Sequence, residues 1–445
     1  MPLCLLNLHR FIGEKDRTMT ALILLVFLGA AVIAIPIAHA LLVAAMAAAA
    51  TSDRVPLDLL VQQMVAQVQS FPLIAIPFFM LTGSLMMGGK LGEALIGVLS
   101  TLIGRFHGGP GQVGVLSSTI FGGVSGSPVA DVSAIGAVLI PQMKKEGYDA
   151  DYAVNVTTHA SLVGALMPTS HNLIIFTLAA SGKVSIAALI LAGIVPAIVL
   201  TICNLVAAYA VAVKRGYPAG TFPGWAVVGH SFAQSLPGLL VVVIIIVGIL
   251  SGAFTATESA SVAVIWALFL ATMVYKKLTR EQFLKAAAKA VKSTGAVLLL
   301  IGISSMFGYL IGLYGVAELT GQMLSSISAT PWVIFLCVNV ILFVLGTFLD
   351  MAATILICTP IFLPICQQMG MSTEQFGIVM LINCALGLNT PPVGTTQFVG
   401  CTIGEVSVGT VMKTIWPFYG GLIAALMLVT YVPAFSMWLP NLILK

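Results

Sequence analysis

Four short stretches hold the residues whose types and spacing could do chemistry in an otherwise inert chain. Gly122-Gly123-Val124-Ser125-Gly126-Ser127-Pro128 interrupts an apolar segment. Glycine permits the backbone angles that end a helix, and Pro128 suits the first turn of a new one. Two half-helices would then meet tip to tip, with unpaired carbonyls from the first and unpaired N–H groups from the second. Carbonyls and the Ser125 and Ser127 hydroxyls suit a hard cation such as Na⁺. The N–H groups, at the positive end of a helix dipole, suit an anion. Gly346-Thr347-Phe348-Leu349-Asp350-Met351 has the same character, with Asp350 near its tip. The remaining two stretches are proline breaks, Met167-Pro168-Thr169-Ser170-His171-Asn172 and Asn389-Thr390-Pro391-Pro392-Val393-Gly394-Thr395.

If each hairpin tip meets its neighbouring break, two related cation sites result, with substrate between them. The expected sodium ligands are Ser125, Gly126, Ser127, Pro168 and Thr169 at one site. At the other they are Gly346, Thr347, Asp350, Asn389, Thr390, Pro392, Val393 and Gly394. No Lys or Arg is expected near either break or tip. An anionic substrate would then rest on half-helix N-termini, Ser127, Ser170, His171, Asn172, Thr395, Thr396 and the sodium ions themselves. Asp131 is either a functional acid or a cap on the half-helix that starts at Pro128. Glu258 reads as a helix cap, and His39 and His159 as packing residues. Gly123-Val124-Ser125-Gly126 also spells the G-x-S-G of an intramembrane serine protease, with His159 as base. That rival does not account for a second hairpin. An ATP-driven pump is disfavoured because residues 84–91 lack the first Gly and the closing Ser/Thr of a P-loop.

The elements that must position these residues are membrane helices. Of 445 residues 59% are hydrophobic and 8% charged, and the mean hydropathy is +1.09. Soluble domains carry about a quarter charged residues. The runs 21–50, 185–213, 236–254, 256–275 and 332–349 are nearly free of charge. About 18 such residues suffice to cross the hydrocarbon, and only helices satisfy their own backbone there. Seven cysteines form no CxxC pair and read as buried core residues. No cleavable signal is expected, and a start at Met1 or at Met19 is left open.

The chain repeats itself at long range. At an offset of 223, Gly123 meets Gly346, Pro141 meets Pro364, Gly147 meets Gly370, Gly164 meets Gly387 and Pro168 meets Pro391. After a one-residue deletion Gly182-Lys183-Val184-Ser185 falls on Gly404-Glu405-Val406-Ser407. The expected organisation is an extension, 1–19, then a first repeat, 20–235, with spans at 21–50 and 72–88, a hairpin at 110–145 and a broken helix at 149–181. A linking helix, 236–255, leads to a second repeat, 256–445, with spans at 256–275 and 293–314, a hairpin at 332–368 and a broken helix at 373–403. Five crossings per period turn the second copy upside down. The same count puts sixteen Lys and Arg on one side and three on the other, with the N-terminus cytoplasmic. Residues 276–292 then form a basic interfacial helix against anionic lipid.

The run GGVSGSPVADVSAIGAVLIPQMKKEGYD (122–149), the block ALMPTSHNLIIFTLAASGKVSIAALILAGIVPA (165–197), FTATESASVAV (254–264) and INCALGLNTPPVG (382–394) resemble the large membrane subunit of tripartite ATP-independent periplasmic transporters. The resemblance runs through essentially the whole chain from residue 20. It departs at Thr169-Ser170-His171-Asn172, where many members have a Pro-Ser-Ile type of sequence. The fold it implies is an all-α polytopic membrane protein, an inverted-repeat elevator with two re-entrant hairpins and two proline-broken helices. The function it implies is sodium-driven uptake of a C4-dicarboxylate, sialic acid, keto acid or sugar acid across the bacterial inner membrane. Its implied partners are a small four-helix membrane subunit, a periplasmic substrate-binding protein and the lipid bilayer, with no nucleotide and no nucleic acid. The residues alone leave open a stand-alone sodium/dicarboxylate symporter.

Overall fold

A computed structural model of the chain describes residues 14–33, 35–52, 55–88, 91–222, 224–276, 278–328 and 330–444. Cys4, Arg10, Arg54, Lys90, Lys277 and Lys445, and most of the 1–19 extension, lie outside the described residues. Among those described, the regular structure is helical apart from one isolated bridge between His107 and Ala219.

The first half comprises α1 (Glu14–Val32), α2 (Ile37–Thr51), α3 (Leu57–Val68), α4 (Ala75–Gly88), α5 (Leu91–Ile103) and α6 (Gly109–Ser125). It continues with α7, which starts as Pro128–Asp131 and runs through a π turn, Val132–Gly136, into Ala137–Lys145. Then come α8 (Ala150–Ser161, extended by the 3₁₀ turn Leu162–Leu166), α9 (His171–Ala179) and α10 (Ile186–Lys214). The second half comprises α11 (Trp225–Leu250), α12 (Ala256–Phe269, extended by the π turn Leu270–Val274), α13 (Arg280–Leu313), α14 (Val316–Ile327), α15 (Pro331–Phe348) and α16 (Met351–Gln368). It ends with α17 (Thr373–Leu388), α18 (Thr395–Gly404), α19 (Val408–Lys413), α20 (Trp416–Tyr431) and α21 (Ala434–Ile443). Local chemistry sets many of these starts. Thr255 with Glu258 and Thr279 with Gln282 are complete capping boxes, and the hydroxyls of Ser185, Ser372 and Ser407 cap α10, α17 and α19.

Element starts recur at the 223-residue offset. Leu57 of α3 meets Arg280 of α13, Pro128 of α7 meets Met351 of α16, and Ala150 of α8 meets Thr373 of α17. The two broken helices form the centre of the molecule: α8 is buried from Tyr152 to Ser161 and α17 from Gln375 to Leu388.

Three expectations are corrected. The run 21–50 is two helices, because Pro36 ends the first and starts the second. They fold back on each other, since the Thr51 hydroxyl at the end of α2 lies 3.7 Å from the Met19 sulfur near the start of α1. The first half therefore gains a helix, and α11 is its counterpart rather than a linker; it runs from Trp225 and bends by 56° before Ser235, so that its second arm, Ser235–Leu250, is the helix expected from 236. Finally, the basic stretch and the span at 293–314 are one 34-residue helix, α13, whose counterpart in the first half is α3 and α4 bent by 56°. At 1.5 Å per residue α13 is about 50 Å long. Thr20 near the start of α1 donates to the Tyr314 carbonyl, and the Tyr314 hydroxyl bonds Ser52. The start of α1 therefore stands at the end of α13 opposite its lysines, not beside them.

Candidate functional site

The first hairpin closes on Gly126, whose φ of +60° is a left-handed conformation that favours glycine. Its two arms pack together: a Cβ on Gly114 of α6 would lie 2.4 Å from Leu139 of α7, and both residues are equally far from the tip. The tip sits against the first break. A Cβ on Gly126 would meet the Thr169 carbonyl at 2.4 Å, and Gly122 and Gly164 touch backbone to backbone. The Thr169 hydroxyl donates to the Gly122 carbonyl at 3.3 Å. Across this break α8 and α9 bend by 50°. Ser125, Gly126, Pro168, Thr169, Ser170 and Asn172 are buried here, with Ser127 and His171 partly so. The Ser127 hydroxyl caps α7 by accepting from the Ala130 N–H at 3.5 Å.

The second hairpin repeats the arrangement. A Cβ on Gly387 of α17 would stand 2.3 Å from the carbonyl of Gly346, and the Val393 N–H donates to the Thr347 carbonyl at 3.3 Å. Asn389, Gly394 and Thr396 are buried in the break, Thr390 and Thr395 partly buried, and Pro392 and Val393 exposed. Asp350 is exposed and its carboxylate accepts from the Ala352 N–H at 3.2 Å, capping α16. A residue that the sequence did not point to completes this break. The Tyr419 hydroxyl of α20 donates to the Asn389 carbonyl at 2.8 Å and lies 2.7 Å from the Thr390 hydroxyl.

The halves interlock. The helix after the first break, α9, packs on α16 of the second hairpin, and α18 after the second break packs on α7 of the first. A Cβ on Gly400 of α18 would lie 2.4 Å from Thr158 and 3.8 Å from Val132, which fixes that approach. Of the nineteen buried side-chain N and O atoms without a hydrogen-bond partner among the described residues, seven belong to Ser170, Asn172, Asn389, Thr395, Thr396 and Gln397. Buried polar groups are normally paired, so this concentration makes the two breaks the candidate site for polar ligands. No three His, Cys, Asp or Glu residues converge among the described residues. The donors are hydroxyls, amides and carbonyls, which fit a hard cation rather than a transition metal.

One sequence expectation fails at the first site. Lys289 of α13 lines a cavity of about 100 Å³ together with Ser125, Ser127 and His171, so a cation does stand beside this tip. It comes from a helix more than a hundred residues away, and its position in a basic stretch gave no sign of it. Asp131 is fully buried with neither carboxylate oxygen hydrogen-bonded, and the cap on α7 is Ser127 instead. Glu258 accepts from the Thr255 N–H at 2.7 Å as the second member of its capping box. His159 bonds the Asn155 carbonyl at 2.8 Å and packs between Phe418 and Tyr419, with no hydrogen bond to Ser125.

Comparison with known proteins agrees with the geometry. Residues 22–435 match the family model described as "Tripartite ATP-independent periplasmic transporter, DctM component". The sialic acid TRAP transporter large permease protein SiaM of Vibrio cholerae is 32% identical over 94% of this chain and 97% of its own length. The C4-dicarboxylate TRAP transporter large permease protein DctM of Pseudomonas aeruginosa is 33% identical over 84% of this chain and 87% of its own. Among solved structures, the Alcanivorax borkumensis YdaH transporter shares the fold at 15% identity, with a TM-score of 0.62 over 88% of this chain and 91% of that one. Apolar helices, paired hairpins at paired breaks and full-length sequence similarity therefore agree: the chain belongs to the large permease (DctM) component of the tripartite ATP-independent periplasmic transporters, a multi-pass membrane transport subunit and not an enzyme.

Proposed function

We propose that this chain carries a small organic acid into the cell with sodium ions, by moving its hairpins and broken helices as one body against the remaining helices. The transport of organic acids rests on the family; the sodium coupling and the movement are our reading. The observation that carries it is the pair of tip-against-break junctions, Gly126 on Thr169 and Gly346 on Gly387. Around them lie orphaned hydroxyls and amides but no cluster of acids among the described residues. Sodium at each junction would be held by carbonyls and hydroxyls from the first site's Ser125 to Thr169 set and the second site's Gly346 to Gly394 set. The organic acid would lie between them, on Ser127, Ser170, His171, Asn172, Thr395 and Thr396. Binding the acid beside sodium makes uptake depend on the sodium gradient. A small four-helix membrane subunit and a periplasmic binding protein would complete the transporter, in the inner membrane.

The sides of the membrane follow from the basic ends. Lys144, Lys145, Lys214, Arg215, Lys276 and the lysines early in α13 read as cytoplasmic. The start of α1, beside Tyr314, is then periplasmic. Lys15 and Arg17 change sides with it, and the sequence keeps a clear excess of Lys and Arg on the cytoplasmic side.

The test is uptake into proteoliposomes holding this chain and its small subunit, with the sodium gradient and candidate binding proteins varied independently. Uptake that needs both supports the reading. Sodium-driven uptake without a binding protein points to a stand-alone symporter, and uptake indifferent to sodium removes the coupling.

A further inference from the structure

We propose that Lys289 is a specificity-determining residue, an ammonium group on α13 that receives the carboxylate of the transported acid as it leaves toward the cytoplasm. The inference rests on the organic-acid reading above and assigns a role to a residue outside the hairpins and breaks. The cavity beside the first tip is about 100 Å³, room for a carboxylate head group. It is lined by Ser125, Ser127 and His171 from the first tip and break, and by Lys289 and Ser293 of α13 with Ser84 of α4. Hydroxyls, an imidazole and an ammonium converge, and Lys289 is the charged side chain among the residues that line it. A site whose one formal charge is positive favours an anion over a neutral or cationic solute.

The neighbouring lysine shows that this is more than a basic stripe at a membrane surface. Lys285, one turn earlier on α13, is engaged with Glu281 at 2.6 Å and both are exposed. Lys289 makes no ion pair among the described residues. Its ammonium is thus left for a ligand, at the end of the cavity nearest the basic end of α13. A compact, strongly hydrated charge on a flexible stem suits a group that must bind and release. It acts from α13 while Ser125 and Ser127 travel with the hairpin, so the pairing belongs to the conformation described here. The consequence is an asymmetry: loss of the charge weakens the hold on substrate from inside and leaves capture from outside alone.

The test uses right-side-out proteoliposomes with the complete transporter and two probes, N-acetylneuraminate and succinate. Half-saturation is measured separately for external acid with binding protein and for internal acid in exchange. For whichever acid is carried, Lys289→Gln should raise the internal value roughly five- to tenfold, a charged hydrogen bond discounted for exposure. The external value and the sodium dependence should change less than twofold. Lys289→Arg should stay near the unsubstituted protein, and Lys285→Gln should change neither value. An equal effect of Lys285→Gln, or an unchanged internal value in Lys289→Gln, overturns the proposal. Should Lys289→Gln fail to insert, Lys289→Arg and the rise of the internal value with ionic strength in the unsubstituted protein decide it, and an internal value indifferent to salt overturns it. If the unsubstituted transporter exchanges neither acid, the organic-acid reading for these probes fails first, and the role of Lys289 toward them falls with it.

Discussion

Replacing Gly387 by alanine separates a working contact from ordinary packing. Its Cβ would stand 2.3 Å from the carbonyl carbon and oxygen of Gly346 and 2.8 Å from the Gly346 Cα, where an ordinary contact is 3.4 Å or more. The partner is backbone, so no side chain can swing aside. The hairpin tip must retreat by about 1 Å, and overpacking of this kind costs roughly 1–3 kcal/mol. Binding sites hold their geometry to within about 0.5 Å, so the strain would fall on the sodium site proposed at this junction. If the whole cost appears in ion affinity, half-saturating sodium rises roughly five- to 150-fold. The assay is sodium-dependent uptake in proteoliposomes, read beside sodium-induced thermal stabilisation of the purified protein. Two glycines serve as controls. Gly312→Ala on α13 meets nothing within 4 Å and should be neutral or stabilising by up to about 1 kcal/mol. Gly123→Ala meets the Val242 side chain at 3.3 Å, a contact that can yield, and should leave sodium dependence within twofold. A well-folded Gly387→Ala protein whose sodium dependence matches that of Gly312→Ala would refute this reasoning.

Three further perturbations probe contacts near the two sites and the orientation of the chain. Tyr419→Phe removes the donor to the Asn389 carbonyl and should cost about 1 kcal/mol at that junction. Half-saturating sodium should rise severalfold, with thermal stability in the absence of sodium changed little. Arg215 binds Asp149 and Asp151, each at 2.8 Å, and ties the start of α8 to the end of α10. Its hydrogen bond to Asp151 holds the guanidinium charged, well above its ordinary range. Arg215→Gln should lower stability by about 1–2 kcal/mol after allowance for partial exposure, measured as a drop in Tm with transport per folded molecule retained. A single accessible cysteine placed before α1 and another at Gln282 should react with a membrane-impermeant reagent from opposite sides of the bilayer; reaction from the same side would restore the N-terminus to the cytoplasm.

The features legible in the sequence acted through the backbone, and those that were not acted through space. Gly126, Pro128, Pro168 and Pro391 announce themselves because glycine opens backbone angles that other residues avoid and proline fixes its own, wherever they stand. The 223-residue offset likewise finds Gly164 and Gly387. It also pairs Gly123 with Gly346, yet the glycine that touches the first break is Gly122, while Gly123 faces Val242 of α11. An offset counts residues, whereas a helix turns about 100° with each one, so a slip of one position changes the face that packs. Lys289 and Tyr419 carry no local signal at all: one sits in a basic amphipathic stretch and the other in an apolar helix, and only the fold brings the first to a tip and the second to a break. The misread run 21–50 is instructive in a different way. Its hydropathy is uninterrupted, and the signal was Pro36 alone. Proline is a weak signal among these helices, since Pro196, Pro360 and Pro364 all lie inside continuous ones. The breaks at Pro168 and Pro391 differ in the residues that come after the proline. Thr169, Ser170 and Asn172, and likewise Thr395 and Thr396, bring polar side chains to a place where the backbone has also lost its partners. In an apolar medium that combination is costly unless something binds there. Proline trailed by small polar residues, rather than proline itself, is therefore the sequence mark of the candidate site, and the orphaned atoms of Ser170, Asn172, Thr395 and Thr396 are its structural counterpart.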